Sequence, residues 1–226
     1  AIFWEVPLMA IISELYFILC DPLDLSRDLL SEVRDSTAEK SVDLIMCQFA
    51  EFGLRRRYSY DVQDMVIKTL IEESPRRSES RNFIGTSNVH MAYKYGLKPI
   101  GTMAHELIMG YSVLKGMRHA NKAVLTDWAE TFNGDVGIAL PDTFGIDAFL
   151  QDFDGSLARI FDGVRHDSGC PHQFMWKIVN HYDEMGIDPR SKCIVFSDSL
   201  TAEKANDLRK AAFSVQHSFG AGIKCS

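Results

Sequence analysis

The segment Gly163-Val164-Arg165-His166-Asp167-Ser168-Gly169 ends a short apolar run and stands just before a helix-forming stretch. The segments at residues 85–89 and 101–106 are built alike, with an apolar run that ends in a Gly-Thr step and then a helical pattern. Such a step leaves backbone N–H groups and hydroxyls at a helix N-terminus, where the unpaired donors and the helix dipole favour an anion. The three segments therefore predict a site for phosphates or carboxylates where strands pass into helices.

Short apolar runs alternate with longer amphipathic stretches from about residue 40 onwards. This alternation is typical of βα units with parallel strands. Pro171 in a first helical turn, Gly186 at a left-handed helix end and Thr201 as an N-cap support the predicted boundaries. Each of six apolar runs, the predicted strands, precedes one predicted helix. The strands lie at 43–47, 82–84, 98–101, 136–139, 163–165 and 193–196. The helices that follow them lie, in the same order, at 60–72, 88–95, 104–115, 147–153, 172–185 and 202–213.

Polar residues follow nearly every predicted strand, which bears on the fold class. An open doubly wound sheet and a closed barrel both alternate strands with helices, so periodicity alone does not separate them. Many strand ends converge more easily in a barrel, because its strand C-termini form a ring. The sequence therefore favours a parallel α/β barrel. The residues at these strand ends are the polar Arg55, Ser87, His105, Asp142, Arg165, Asp167 and Asp198, together with Gly220.

Length, cysteine usage and charge narrow the class of protein. With 226 residues, 46% of them hydrophobic, the chain can bury one sizeable core, so we expect a single domain over residues 1–226. Its five cysteines show no paired CxxC spacing, which favours free thiols and a reducing, cytoplasmic compartment. A net charge of −7 argues against nucleic-acid binding.

Two arginine clusters depart from this acidic balance. The arginines at 55–57, and those at 76, 77 and 81, would suit a small phosphorylated ligand. The second cluster is more simply read as a solvated loop.

The apolar stretch at residues 1–20 raises the question of a membrane segment. Glu5 and Glu14 interrupt it, and no basic region precedes it as a signal peptide requires. We therefore predict no membrane segment and expect a helix that is buried on most sides. Because the chain starts without Met and stops soon after a glycine pair, we also expect that both ends of a longer protein are absent.

Segments spread over nearly the whole chain resemble the nicotinate phosphoribosyltransferases, which join nicotinate to phosphoribosyl pyrophosphate in NAD biosynthesis. The resemblance implies an irregular parallel α/β barrel, the TIM-like barrel of type II phosphoribosyltransferases. It also implies a smaller N-terminal α/β domain, most of which would be missing here. The segments lie at residues 51–57, 85–89, 99–106, 140–143, 163–169, 186–189, 194–198 and 218–220.

The implied reaction gives nicotinate mononucleotide and pyrophosphate, coupled to ATP hydrolysis, an activity of the ligase and glycosyltransferase type. His105 stands in Gly-Thr-Met-Ala-His-Glu, where the family histidine is phosphorylated by ATP. The resemblance therefore implies that His105 is a phosphohistidine and acts as the nucleophile toward the γ-phosphate. Without the resemblance, a single histidine at a helix start is more simply a structural residue.

The segment at residues 163–169 carries further implied roles. By the same resemblance, Arg165 packs against the pyridine ring, Asp167 lies near the ribose and pyrophosphate, and Ser168 belongs to the substrate-binding motif. Taken alone, Arg165 and Asp167 could form a structural ion pair. The family's Ser-Gly-Asp is Ser168-Gly169-Cys170 here, so one carboxylate is lacking.

Metal ions enter the expectations in two ways. Cys170, His172 and His166 offer three irregularly spaced ligands, which is only a weak signal for a transition metal, and we predict no metal site made by the protein alone. Mg²⁺ is expected as a cofactor that neutralises the departing pyrophosphate. Asp167 or Asp198 would stabilise the positive charge that develops on the ribose.

Residues near the first two predicted strands are implied to bind the base. Phe52 would supply an aromatic face for the pyridine ring and Arg55 a guanidinium for phosphate. Thr86 and Ser87 are also implied to bind substrate. The amide-specific relatives have an aspartate where Ser87 stands. Two unit charges about 4 Å apart at an effective dielectric near 20 repel by roughly 4 kcal/mol, so an aspartate would disfavour nicotinate about a thousandfold. Ser87 is equally compatible with a helix N-cap.

Two later loops complete the implied substrate site. Asp142 stands in Leu-Pro-Asp-Thr, and Gly220 and Gly222 stand where a barrel phosphate site lies. The family's Gly-Ile-Gly-Thr becomes Gly-Ala-Gly-Ile here, without the hydroxyl.

The implied ligands are nicotinate, phosphoribosyl pyrophosphate and ATP. The implied assembly is a homodimer, because the family's site is completed by a partner subunit. Two other interpretations stay open: an enzyme specific for nicotinamide, and a truncated core that binds a nucleotide or dimerises without turnover.

Overall fold

The computed structural model describes residues 2–21, 27–74, 82–135, 137–214 and 223–225. The chain forms two compact units, the first ending at Gly101 and the second comprising Thr102–Cys225. The single domain expected over residues 1–226 stays a prediction. The predicted site residues Gly220 and Gly222, and the arginines at 76, 77 and 81, lie outside the described residues.

The first unit has two parallel strands and four helices among its described residues. Ala50 stands opposite Gly85, and Glu51 opposite Thr86, so the carboxyl ends of the two strands lie side by side. A 3-10 turn, Gly53–Arg56, follows the first strand. The elements are α1 (Ile2–Leu19), α2 (Arg27–Asp43), β1 (Gln48–Glu51), α3 (Tyr60–Glu73), β2 (Phe83–Thr86) and α4 (Val89–Tyr95).

Helices α3 and α4 confirm the predicted helices at 60–72 and 88–95. Ser59 and Asn88 cap them, and each side chain accepts a hydrogen bond at 3.2 Å from the backbone N–H three residues on. Side-chain caps of this kind satisfy donors that the helix itself leaves unpaired. The N-cap of α4 is therefore Asn88, and the alternative interpretation of Ser87 as a helix N-cap is wrong.

Two predicted strands of this unit are wrong. In the run at 43–47, three N–H groups donate at 2.8–3.1 Å to carbonyls of α2 and of the turn after it. Donors engaged in a turn cannot pair in a ladder, so the strand begins only at Gln48. In the run at 98–101, Pro99 lacks an N–H group and forms a single bridge to Thr86 instead of a strand.

Helix α1 is largely exposed, so the expectation of a helix buried on most sides is wrong for this chain. Trp4 is 68% exposed and Leu19 is 74% exposed. The helix is apolar all round, but only one side meets other residues of the first unit, where Glu14 pairs with Arg57 at 2.9 Å. No helix in the described parts of the chain is both long and apolar enough to cross a membrane.

The second unit contains four parallel strands in the order β6-β5-β4-β3. The parallel α/β arrangement predicted from the sequence is confirmed. The described strands form no closed sheet, so closure into a barrel is not shown. The elements are α5 (His105–Lys115), α6 (Ala120–Thr131), β3 (Ile138–Ala139), α7 (Ile146–Asp152), α8 (Gly155–Ile160), β4 (Gly163–His166), α9 (Pro171–Glu184), β5 (Cys193–Phe196), α10 (Ala202–Ser214) and β6 (Ile223–Cys225).

Strand β5 matches the predicted run at 193–196 residue for residue. Pro171 opens α9 in its first turn, Gly186 follows it with φ 63°, and Thr201 accepts the N–H of Lys204 at 3.2 Å. Helices α2, α6 and α8 were not predicted. Each departs from simple strand–helix alternation, because α2 precedes the first strand and α6 and α8 follow another helix without a strand between them.

The core of the second unit is rich in aromatic side chains. Phe153 stacks on Phe149 with ring centroids 4.7 Å apart and meets Phe161 edge-on at 6.0 Å. Burying such large apolar surfaces is the main stabilising contribution to a domain of this size. The fully buried large side chains here include Ile108, Leu125, Leu140, Phe149, Phe153, Phe161, Met175, Ile178, Tyr182 and Phe196.

Strands β4 and β5 lie close together where Gly163 pairs with Cys193. A Cβ atom on Gly163 would stand 1.9 Å from the carbonyl oxygen of Cys193. No side chain can move to relieve that overlap, because the obstacle is backbone. We infer that glycine is required here because there is no room for a Cβ atom, and not because the backbone φ angle excludes other residues.

Gly163→Ala should lower the free energy of unfolding by at least about 2 kcal/mol, within the range seen for overpacked cores. Urea denaturation followed by circular dichroism measures the change. Gly110→Ala is the matched control, since a Cβ there meets nothing within 4 Å and alanine is favoured by about 0.5–1 kcal/mol inside a helix. Equal stabilities for the two variants would contradict the proposed requirement for space.

Candidate active site

The second unit gathers an imidazole and two carboxylates at the carboxyl side of its strands. His105 is the first residue of α5, Asp142 follows β3, and Asp167 follows β4. The His105 Nε2 atom lies 3.1 Å from Asp142 Oδ1 and 3.6 Å from Asp167 Oδ2. Three predicted site residues that are far apart in the chain are thus brought together.

This arrangement sets which nitrogen of His105 is free. Carboxylate oxygens only accept hydrogen bonds, so in the neutral ring the proton sits on Nε2 and the lone pair on Nδ1. The Asp142 carboxylate is itself oriented by Ser168, whose hydroxyl donates to Asp142 Oδ2 at 2.6 Å. A histidine with a fixed tautomer and an exposed side-chain fraction of 38% can act as a nucleophile through Nδ1.

Arg165 is held by partners from three segments. Its Nη2 lies 2.6 Å from Asp167 Oδ2, its Nη1 donates to Thr102 Oγ1 at 2.7 Å, and its Nε donates to Ser197 Oγ at 2.8 Å. The ion pair that the residues alone predicted is therefore present. Because Arg165 and Asp167 side chains keep 16% and 20% exposure, the pair is also within reach of a ligand.

The surroundings of Asp167 keep it ionised. Burial alone would raise its pKa, but hydrogen bonds from Arg165 and Ser197 and the Arg165 charge outweigh burial and hold the pKa below its usual value. The site therefore has a fixed negative charge next to a fixed guanidinium at neutral pH. Such preorganised charges can stabilise charge that develops in a transition state.

His105, Asp142 and Asp167 are also the one group of metal-ligating side chains found in the described parts of the chain, with ligand atoms within 4.8 Å of one another. The weakly indicated set of Cys170, His172 and His166 forms no such group there. Arg165 and His166 are successive residues of β4, so their side chains point to opposite faces.

His166 packs among aromatic rings on that other face. Its ring centroid lies 5.1 Å from that of Phe174 and 5.6 Å from that of Phe196, and burial lowers its pKa. A neutral, buried imidazole in such surroundings is a packing residue.

Asp198 stands apart from these contacts. It follows β5 and accepts a hydrogen bond from Ser199 at 3.1 Å. With His166, His172 and Lys204 it lines a cleft of about 330 Å³ at the first turns of α9 and α10. The catalytic role predicted for Asp198 is not tested by this placement and stays a prediction.

In the first unit, the predicted site residues lie at the end of β2 and just after β1 and β2. Phe52 is partly buried and precedes the 3-10 turn, while Arg55 is exposed and pairs with Glu5 at 3.0 Å. Thr86 is fully buried, with its hydroxyl 2.5 Å from Glu51 Oε2. Ser87 is partly buried, and its N–H donates to the Glu51 carbonyl at 2.8 Å.

Three residues that hydrogen-bond to predicted site residues in one unit or the other were not themselves predicted to act at the site. Glu51, Thr102 and Ser197 all lie in segments that carry the resemblance, but their importance follows from contacts across 30 or more positions. A signal did exist for Thr102, since it completes a Gly-Thr step at a helix start.

A parallel α/β fold with an imidazole, two carboxylates and a guanidinium at its strand ends defines a ligand-binding site of enzyme type. The family model described as "Nicotinate phosphoribosyltransferase (NAPRTase) family" matches residues 47–225. The chain belongs to the nicotinate phosphoribosyltransferase family.

Comparison with individual relatives supports the same family. The chain is 44% identical to the nicotinate phosphoribosyltransferase of Methanosarcina mazei, over 98% of this chain and 57% of the relative. Nicotinate phosphoribosyltransferase 1 of Pseudomonas aeruginosa is also 44% identical, over 99% of this chain and 57% of the relative. The chain thus spans a little over half the length of these curated relatives.

Solved structures give the same result. The crystal structure of nicotinate phosphoribosyltransferase from Porphyromonas gingivalis superposes with a TM-score of 0.88 at 35% identity, covering 98% of this chain and 55% of that one. The Vibrio cholerae enzyme superposes with a TM-score of 0.87 at 37% identity, covering 99% and 52%. The expectation of family membership is confirmed.

Asp167→Asn should lower the free energy of unfolding by about 1–3 kcal/mol at pH 7, since it removes a charged partner of Arg165. The pKa of Asp167 is lower in the folded chain than its usual value, so its stabilisation is complete above that usual value and is lost as the pH falls through the lowered pKa. Urea titrations between pH 3 and 7 should therefore show the two proteins converging in acid.

Asp147→Asn serves as the control for this series, because the Asp147 side chain is 77% exposed and such surface ion pairs contribute little. A stability difference for Asp167→Asn that stays constant down to pH 3 would count against the ion pair as its cause.

Proposed function

We propose that the chain carries the core of a nicotinate phosphoribosyltransferase, which forms nicotinate mononucleotide and pyrophosphate from nicotinate and phosphoribosyl pyrophosphate. The observation that carries the proposal is the joint placement of His105, Asp142, Asp167 and Arg165, each in a segment that resembles the family. In the reaction the pyridine nitrogen bonds to ribose C1 as the C1–oxygen bond to pyrophosphate breaks.

His105 is the proposed site of coupling to ATP. Its Nδ1 lone pair would attack the γ-phosphorus, forming a nitrogen–phosphorus bond while ADP leaves. The contacts from Nε2 to Asp142 and Asp167 support this role, because they hold the ring and stabilise the positive charge that it gains.

Arg165 and Asp167 are proposed to act at the nucleotide. Arg165 would pack against the pyridine ring, and Asp167 or Asp198 would stabilise the positive charge on the ribose. The fixed ionisation of Asp167 beside Arg165 supports this role. Ser168, through its bond to Asp142, would orient the same edge of the site.

Mg²⁺ fits the donor set of this site. Carboxylate oxygens are its preferred ligands, and Asp142 and Asp167 offer two of them within 4.8 Å of each other. When bound, Mg²⁺ supplies neutralisation of the pyrophosphate charge. Asp142 and Asp167 would hold it.

Phe52, Arg55, Thr86 and Ser87 are proposed to recognise nicotinate and phosphate, and Gly220 and Gly222 to form the phosphate loop. These roles rest on the resemblance. The remaining proposals are an irregular barrel built on the parallel strands, a homodimer and a cytoplasmic location.

The assay that tests the proposal offers phosphoribosyl pyrophosphate, Mg²⁺ and ATP with either nicotinate or nicotinamide, and quantifies the mononucleotide. Product from nicotinate, stimulated by ATP, is expected. His105→Ala should abolish the stimulation by ATP. His119→Ala should not, because it removes an exposed histidine in the 3-10 turn Met117–His119 that follows α5. A folded chain that yields no product from either base would favour the truncated-core interpretation, and product from nicotinamide alone would favour the amide-specific one.

Ser87→Asp should reduce kcat/KM for nicotinate by up to about a thousandfold, because a second negative charge about 4 Å from the substrate carboxylate costs roughly 4 kcal/mol. Ser87→Asn, which is similar in size but uncharged, should cost much less. Steady-state kinetics with both bases measures the effect. Equal losses in the two variants would show that size, not charge, matters at this position.

A further inference from the structure

The carboxylate of Glu51 is the centre of a hydrogen-bond network in the first unit. Glu51 is the last residue of β1, and its Oε1 accepts the N–H of Gly53 at 2.6 Å and an N–H of the Gln63 amide at 3.2 Å. Its Oε2 accepts the hydroxyl of Thr86 at 2.5 Å. One side chain thus contacts the loop after β1, the end of β2 and helix α3.

The network closes on itself through Asn88. The Asn88 side-chain amide donates to Gln63 Oε1 at 3.0 Å, and its backbone N–H donates to Thr86 Oγ1 at 3.0 Å. Gln63, Thr86 and Asn88 are 4%, 0% and 4% exposed. A buried polar network with its members paired is rigid, since each lost bond would leave an unsatisfied group away from water.

Glycine at position 53 is part of the same arrangement. A Cβ atom on Gly53 would stand 2.6 Å from Glu51 Oε1, and its φ lies outside the left-handed region. A larger residue at this position would therefore require the Glu51 carboxylate to shift from the place where it bonds Gln63 and Thr86.

The loops held by Glu51 are those that carry the proposed base-recognition residues. Phe52 lies between Glu51 and Gly53, and Ser87 follows Thr86. The Glu51 main chain adds a further restraint, because its carbonyl accepts the Ser87 N–H at 2.8 Å. Both sides of the proposed base site are thus fixed to one residue.

We propose that Glu51 is a positioning residue for nicotinate binding, which acts by holding Phe52 and Ser87 in a fixed arrangement through Gly53 and Thr86. The inference rests on the proposed function. Loss of the carboxylate frees the Gly53 N–H and the Thr86 hydroxyl together. Misplacement of groups that contact a ligand weakens its binding even when the contacting residues are intact.

The kinetic test compares Glu51→Ala and Thr86→Val with the wild-type chain. The KM for nicotinate should rise about tenfold or more in both, with the KM for phosphoribosyl pyrophosphate little changed, because only ground-state positioning of the base is lost. The double variant should be no worse than either single one, since the two groups act as a unit.

Asp64→Asn is the matched control for a purely structural effect. Asp64 is a second carboxylate of the first unit, which is buried on α3 and accepts hydrogen bonds at 2.6 Å from Lys94 and from Tyr95. Its loss should lower the thermal midpoint yet leave the KM for nicotinate unchanged. A KM that rises as much in Asp64→Asn as in Glu51→Ala, or that stays unchanged in Glu51→Ala, overturns the inference.

Amide hydrogen exchange separates this inference from the proposed function. In Thr86→Val, the amides of Gly53 and Asn88 should exchange faster than in the wild type, while those of β5 keep their rates, and nicotinate binding seen by saturation-transfer NMR should weaken. A wild-type chain that binds nicotinate but forms no mononucleotide contradicts the proposed activity alone. Unchanged exchange and binding in Thr86→Val contradict the positioning role, whatever the wild-type activity.

Discussion

The ion pair between Arg165 and Asp167 is the interaction on which the second unit's site depends. It joins the end of β4 to Thr102 before α5 and to Ser197 after β5, because the guanidinium donates to all of these at once. A planar guanidinium is suited to this, since its donors point in fixed directions. Removing either partner would leave a partly buried charge without compensation, which is far costlier than losing an exposed pair.

The same pair determines what His105 can do. Asp167 cannot rotate freely, because Arg165 and Ser197 engage its two oxygens, and Asp142 is similarly held by Ser168. The imidazole therefore meets two carboxylates whose positions are set before any ligand arrives. Preorganisation of this kind avoids the reorganisation that water would require.

The first unit reaches rigidity by a different route. Glu51 has neutral donors for partners, namely a backbone N–H, an amide and a hydroxyl, where Asp167 has a guanidinium. Neutral donors satisfy the carboxylate while its charge remains, whereas a guanidinium offsets the charge as well. In both units the carboxylate is held in one position, at the end of β1 for Glu51 and after β4 for Asp167.

Much of the fold followed from local sequence signals. Strand β5, the N-cap at Thr201, and the first turn of α9 at Pro171 depend on neighbours within a few positions, and periodicity and capping report such contacts directly. Helices α6 and α8 were missed because each follows another helix, and the strand at 43–47 was misplaced because the end of α2 takes up its donors. Residue type alone does not reveal that the N–H groups at 43–47 are already bonded to carbonyls of α2 and of the turn after it.

For the site, the sequence by itself determined which residues are chemically able to act, because His105, Asp142, Arg165 and Asp167 stand in segments that identify the family. Only the tertiary structure decided how they pair. His105 and Asp142 are 37 positions apart, Arg165 and Thr102 are 63 apart, and Glu51 and Thr86 are 35 apart. Such contacts depend on which strands lie side by side and in what register, and no interaction between near neighbours in the chain encodes that choice.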